Sequence, residues 1–368
     1  MVFFKLVSRE CGMDSWEEAV KKLRDLEERQ ARLCARLRES PELEAREVFD
    51  ERLFLPVKRQ QFSGRVAAVD GGIALVELHG LDLLFYRAAA AVFDYSEGRL
   101  RGHHYFPSKF VALQFLANYS WEPFEVAWMK SLKRLGVELD CALGVLKKFS
   151  PQVLLLDGSI VPQTADKPPR ESRVFSEYER VIEKYLRLYG EVEERGALLA
   201  GVVKDSRAKH FAAIVASCFP EARGLLGEAG RTTDSLFLYF LLGEGERSAC
   251  FSYSSIPSEH GVLRDLGKWA ERVCSFYVKP VAFDRPLRVD FLRGKTVGGR
   301  EGAEKVASIV FSLSAINRAY GYPAALIEAD LRAAIEGREL ENEVARFRSK
   351  LGFSASLFGL RRNERPFR

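Results

Sequence analysis

From residue 14 to about residue 49 the chain contains WEEAVKKLRDLEERQARLCARLRES, with Leu23, Leu26, Leu33 and Leu37 at helical spacing and charged residues between them. The pattern predicts one or two amphipathic helices. Asp14, three positions before Glu17, forms a capping box of the looser Asp type, and Pro41 breaks the helix or starts a second. The apolar stripe must bury against its own domain, a second copy or a partner.

After Gly64 the period shortens. RVAAVDGG, IALVELHG, LDLLFYRAAAAVFDY and GRLRGHHYFP are β-rich runs separated by Gly, Asp and Ser-Glu-Gly turn signals, and they predict an antiparallel meander. Residues 126–148 then suit a helix, and Pro151 introduces VLLLDGS, apolar enough for a strand buried on both faces. A helix over about 172–192 and a second buried strand, ALLAGVVKDS, follow. DSLFLYFLL, SACFSYS, CSFYVKP and PLRVDFL continue in mixed helix and strand, and helices over about 304–318 and 324–348 close the chain. Three antiparallel strands, helix, parallel strand, helix, parallel strand is a ribonuclease-H-like order. The expectation is therefore an α/β mixed sheet flanked by helices. Residues 1–62 form an N-terminal helical segment for dimer or partner contact, and 63–350 the ribonuclease-H-like domain with a helical insertion at about 160–197. Residues 351–368 form a basic tail.

Composition narrows the setting more than the chemistry. The six cysteines stand singly, with neither zinc-site spacing nor disulfide-scaffold density, which suits a reducing cytoplasm. No stretch reaches about 18 apolar residues, so no membrane span is expected. A net charge of +5 does not by itself indicate a nucleic-acid partner. Its distribution says more: Arg361, Arg362, Arg365 and Arg368 crowd the tail, and Arg285, Arg288, Arg293, Lys295 and Arg300 crowd one loop region. Such patches suit a phosphate backbone or are simply solvated arginines.

Two apolar runs end alike, VAAVDGG at Asp70 and VLLLDGS at Asp157. An aspartate at a strand's C-terminal end points where active sites form in α/β folds. On neighbouring strands about 4.8 Å apart, two such carboxylates share a proton or bind a cation, and Mg²⁺ or Mn²⁺ is the simplest occupant. Gly71, Gly72 and Gly158 would let the chain turn and leave room for a phosphate. Asp-Gly is also the commonest turn dipeptide, but two matched ends favour the site. Lys204 and Asp205 stand at the end of the next strand, where the ammonium could meet a phosphate or offset the acidic cluster, or the two could form an ion-paired strand terminus, and Arg207 on that loop is a candidate phosphate contact.

With VDGG, GVELDCAL, LLLDGSI, GVVKDSR and GYPAALIEAD in this order, the chain resembles the NurA nucleases from about Val66 to Ala334. The resemblance implies a manganese-dependent 5′ to 3′ exonuclease and single-strand endonuclease. It also implies a homodimer that works with a HerA-type hexameric ATPase in DNA end resection. It makes Asp70 and Asp157 the paired metal-binding aspartates, and Glu138, on the helix before the second of them, a third ligand, with Asp140 as the alternative. Tyr322 and Asp330 fall where the family has a tyrosine and a histidine. The aspartate can ligate metal but is a poor proton donor at neutral pH, and an all-oxygen site is less biased toward manganese. Gly72 stands where the family more often has serine, a change expected to have a small local effect.

The resulting hypothesis is a two-metal displacement in which Asp70, Glu138, Asp157 and Asp330 hold the cations and a metal-bound water attacks phosphorus in line. Lys204 and Tyr322 complete the catalytic set. DNA would be gripped by Arg207, Arg285, Arg288, Arg293 and Lys295, with Tyr322 as stacking platform for a terminal base. The histidines lack HxxxH or HExxH spacing, which argues against a zinc hydrolase, and no Walker lysine is present. Two other readings remain: a sugar-kinase or actin-type phosphotransferase, whose usual D-x-G-x-T loop DGGIA lacks, and a non-catalytic scaffold for a DNA translocase.

Overall fold

The structure is a computed structural model that describes residues 16–119, 121–227, 232–314 and 317–352. Strands β1 (Phe54–Pro56), β2 (Gly64–Leu78), β3 (Leu81–Ser96), β4 (Arg99–Phe106) and β5 (Gln114–Asn118) come first. β6 (Val153–Asp157) and β7 (Leu198–Val203) alternate with helices, and β8 (Glu246–Ser248), β9 (Phe251–Ser252), β10 (Val273–Lys279) and β11 (Leu287–Leu292) follow. The helices are α1 (Trp16–Glu39), α2 (Pro123–Phe149), α3 (Phe175–Arg195), α4 (His210–Cys218), α5 (Arg223–Leu226), α6 (Asp234–Leu241), α7 (Gly299–Ser314), α8 (Ala324–Ala333) and α9 (Gly337–Leu351).

All the strands join one mixed sheet in the order β1, β8, β10, β11, β7, β6, β2, β3, β4, with β5 on β3 and β9 on β10. β2, β3 and β4 form the expected antiparallel meander, β6 pairs parallel with β2, and β7 parallel with β6. This is the helix-flanked α/β sheet that the pattern of runs predicts. Side-chain alternation decides which layer each residue joins. Ala67, Val69, Leu154 and Leu156 pack toward α2 and α3, whereas Val66, Ala68, Val153 and Leu155 pack toward α7 and α8. Both faces are covered, which is why these strands are apolar at nearly every position.

The sequence reading misplaces three boundaries. RVAAVDGG and IALVELHG are one continuous 15-residue strand, β2, because Gly71 and Gly72 sit inside the strand and not in a turn. The closing helix expected over 324–348 is two helices, α8 and α9, because a buried arginine takes the carbonyls of Ala333 and Ala334 at the break. β5 has no counterpart in the reading.

The amphipathic N-terminal run is one helix, α1. Its second half buries Leu33, Cys34 and Leu37 with α4 and α6, and Gln30 Nε2 donates to Thr232 Oγ1 at 2.7 Å. Its first half leaves Trp16 89%, Val20 42% and Leu23 60% exposed. Asp14 and the arginines of the C-terminal tail lie outside the described residues. Among the described residues, no helix is long and apolar enough to cross a membrane.

Candidate metal centre

The last parallel pair between β2 and β6 is Val69 with Leu156, so Asp70 and Asp157 stand side by side one residue further on. β6 ends there, but β2 runs on to Leu78. Asp70 is therefore not at a strand end as expected. It sits mid-strand, at the point where its parallel neighbour stops. Both side chains share the face of Ala68 and Leu155, the face covered by α8.

α8 supplies the third carboxylate. Oxygen atoms of Asp70, Asp157 and Asp330 all lie within 4.8 Å of one another. The approach of α8 to the sheet is unusually close: a Cβ on Gly72 would sit 2.0 Å from the Ala333 carbonyl oxygen. Gly72 is two residues from Asp70 on one face of β2, and Ala333 is three residues from Asp330 on one face of α8, so this contact lowers Asp330 onto Asp70. Arg87, directly opposite Gly72 on β3, secures the contact. It donates to the carbonyls of Ala333 (3.2 Å) and Ala334, and makes a bidentate pair with Glu339 of α9 at 2.8 and 2.9 Å. The glycines thus do not make room for phosphate as the sequence suggested. At Gly72 the space is filled by α8, and at Gly71 by Glu138, whose Cγ would lie 2.6 Å from an added Cβ. Gly158 does need its freedom, with φ at +108°.

Glu138 comes from α2, across the sheet from α8. It is 7% exposed, and Arg134 one turn earlier donates to its Oε1 at 3.0 Å. Asp140 is exposed and bound to Lys184 at 2.7 Å, facing away as its position two residues on requires. Glu138 lies beneath Gly71 on the opposite face of β2, so it stands behind the three aspartates and is not among the carboxylates within 4.8 Å of one another.

Charge is crowded here. Burial pushes the Asp70 carboxyl up to about 8, with further push from Asp157 and Glu138. Burial also raises Glu138 to about 7, against the pull of Arg134. Lys204 Nζ lies 2.8 Å from Asp157 Oδ2, and although burial alone would lower its pKa, Asp157 and then Asp330 hold it above the ordinary value. Four carboxyl groups thus crowd around only two fixed cations, Arg134 and Lys204. The donor set is all oxygen, which suits a hard divalent cation, and the three aspartates converge closely enough that rotation of their side chains would bring them onto one. The residues fit a divalent cation in both charge and spacing.

Several expected residues lie elsewhere or act otherwise. Tyr322 is 1% exposed, so it offers no face to a terminal base. Its hydroxyl donates to the Val202 carbonyl at 3.1 Å, and the Lys204 ammonium lies 4.7 Å from its ring centre, so it supports Lys204 from beneath. Arg288 is half-buried and held on Asp290 at 2.8 Å, which turns its guanidinium away from a phosphate backbone. β11 runs antiparallel to β7, so Arg293 and Lys295 follow its far end, at the opposite edge of the sheet from Lys204. Alternating strand directions, invisible in a run of basic residues, split this loop region in two. Arg207 and Arg285 are exposed and do lie at the Lys204 end, Arg285 paired with Asp205 at 3.1 Å. The sequence reading passed over Arg87 and Arg134. Arg134 was legible from its i,i+4 spacing to Glu138, and Arg87 as a lone charge within the apolar LDLLFYRAAAAVF.

Residues 64–335 match the family model described as the NurA domain. A crystal structure of the NurA nuclease from Sulfolobus solfataricus is similar over 95% of this chain and 96% of that one, with a TM-score of 0.59 and 15% identity. A NurA structure bound to dAMP and manganese is similar over 94% and 99%, with a TM-score of 0.54 and 13% identity. A third, of NurA with manganese, covers 89% and 96% at a TM-score of 0.51 and 12% identity. At these identities the likeness is one of fold. Among curated proteins none matches the chain.

Proposed function

The chain belongs to the NurA family of nucleases, and on that premise we propose that it is a divalent-metal-dependent deoxyribonuclease. Its site is Asp70, Asp157 and Asp330, with Glu138 behind them. The observation that carries this is the convergence of three carboxylates from β2, β6 and α8 within 4.8 Å. When bound, Mn²⁺ or Mg²⁺ supplies Lewis-acid activation of water and neutralises charge on the phosphate. Asp70 and Asp157 would hold the cation at the break in the β2–β6 pairing, with Asp330 from α8 as the third carboxylate. Lys204, braced by Tyr322, swings its ammonium from Asp157 to a phosphate oxygen. Glu138, neutralised by Arg134, sets the electrostatic level of the cluster from the other side of β2.

The activity proposed is 5′ to 3′ exonucleolytic and single-strand endonucleolytic, in end resection beside a HerA-type hexameric ATPase in the cytoplasm. The protein would be a homodimer, with residues 1–62 as the dimer or partner contact of a nuclease domain over 63–350. Manganese and dAMP in NurA structures support the metal and the substrate class. The test is cleavage of 5′-labelled and 3′-labelled single-stranded DNA with Mn²⁺, Mg²⁺ or EDTA. Metal-dependent cleavage lost in Asp70→Ala is expected. No cleavage with any metal, even with the ATPase added, would leave the scaffold reading in its place.

A further inference from the structure

A cleft of about 810 Å³ opens beside Lys204, between the β7–α4 loop, the first turns of α6 and the β10–β11 loop. One wall is Phe283, 80% exposed, and Tyr239, 39% exposed, stands further in. A phenylalanine left in water forgoes the gain of burial, so its placement on the rim of a cleft lined by Lys204, the partner of Asp157, calls for an occupant.

The polar groups of the cleft say what kind. Ser235 Oγ donates to the Ser206 carbonyl at 3.0 Å, Ser206 Oγ lies 3.3 Å from the Tyr277 hydroxyl, and that hydroxyl donates to buried Asp234 at 2.9 Å. Thr233 Oγ1 accepts from Leu236 N at 3.3 Å, capping α6. Asp284 accepts from the backbone N–H groups of Arg285 (2.7 Å) and Gly321 (2.8 Å). These groups are held by the protein, so the floor is set in advance and reads no particular hydrogen-bonding edge. The charges also cancel: Lys204, Arg207 and Arg285 face Glu27, Asp205 and Asp284. A polyanion would not be drawn in by net charge. A neutral, flat, aromatic body would be, provided its attached phosphate lay at Lys204.

We propose that this cleft is a nucleobase subsite, in which Phe283 stacks on a base flanking the scissile phosphate. The proposal rests on the nuclease reading for its substrate, and it gives Phe283 the stacking role that buried Tyr322 cannot fill. Arg285 would exchange its pair with Asp205, both side chains more than two-thirds exposed (71% and 79%), for the adjoining phosphate, because such surface pairs hold only weakly. Stacking tolerates every base, so no sequence preference follows.

The test is binding of a short 5′-fluorescein-labelled oligothymidylate to the full chain, with Ca²⁺ in the buffer in place of Mn²⁺. Phe283→Ala is expected to weaken binding about tenfold, with an unchanged slope against salt because no phosphate contact is lost, and Phe283→Trp to bind like wild type. Abasic sites introduced one at a time should weaken wild-type binding at one position that is silent in Phe283→Ala. Failure of the wild type to bind, equal binding by Phe283→Ala, or a defect with no silent position would overturn the proposal. Cleavage in Mn²⁺ is scored separately, so a protein that stacks but does not cut sinks the nuclease reading and leaves the subsite.

Discussion

Asp330 shows how one side chain can set the chemistry of a site that its neighbours only frame. Asp70 and Asp157 are fixed by strand pairing, but the third carboxylate, Asp330, comes from a separate helix and would be the third ligand of the proposed metal site. Oxygen donors do little to distinguish Mg²⁺ from Mn²⁺, while a nitrogen donor favours the transition metal. Asp330→His should therefore raise the ratio of Mn²⁺-supported to Mg²⁺-supported cleavage about fivefold or more. Asp330→Ala should depress both alike. A ratio unchanged in Asp330→His, measured at saturating metal, would remove Asp330 from the coordination sphere. Lys204 and Arg134 complete the residue-scale picture, since each offsets one carboxylate of the crowded cluster.

At the scale of elements, the site depends on how closely α8 lies on β2. Gly72 admits the Ala333 carbonyl and Arg87 holds it there, so the aspartate, shorter than a histidine, still reaches Asp70. The placement of Asp330 beside Asp70 thus depends on the close contact that Gly72 permits. Gly72→Ser restores the family residue but places its Cβ against a backbone atom that cannot swing aside. It should cost about 1–3 kcal/mol of stability and weaken Mn²⁺ binding, read as a lower thermal midpoint and a right-shifted metal titration. A Gly72→Ser protein with wild-type midpoint and metal affinity would show that α8 is free to shift. The sequence made the strands and helices on either side legible through their periodicity, and it showed the two aspartates through matched Asp-Gly endings. It could not show that Gly71 and Gly72 lie inside a strand, because a glycine needed for a turn and one needed for close packing look alike in a single chain. Nor could it show that Tyr322 is buried and Arg288 held on Asp290, since such placement is decided by elements far away in sequence.

Across the whole molecule, one apolar stripe on α1 has two fates. Leu33, Cys34 and Leu37 join the core formed with α4 and α6, while Trp16, Val20 and Leu23, on the same stripe, stand in solvent. If the bare half serves only solubility or chance, its removal changes nothing; if residues 1–62 hold a second copy, as proposed, its removal changes assembly and not folding. Leu37→Ala should cost about 2–5 kcal/mol, as a fully buried leucine does. A Trp16→Ala, Leu23→Ala double variant should stay within about 0.5 kcal/mol of wild type yet fall from dimer to monomer mass in light scattering. A double variant that remains dimeric would place the dimer contact elsewhere. Unfolding of that variant would mean that the first half of α1 belongs to the core despite its exposure. Because α1 packs on α6, whose first turns wall the cleft beside Lys204, whatever binds the bare half sits within one helix of the route by which DNA would approach the carboxylates.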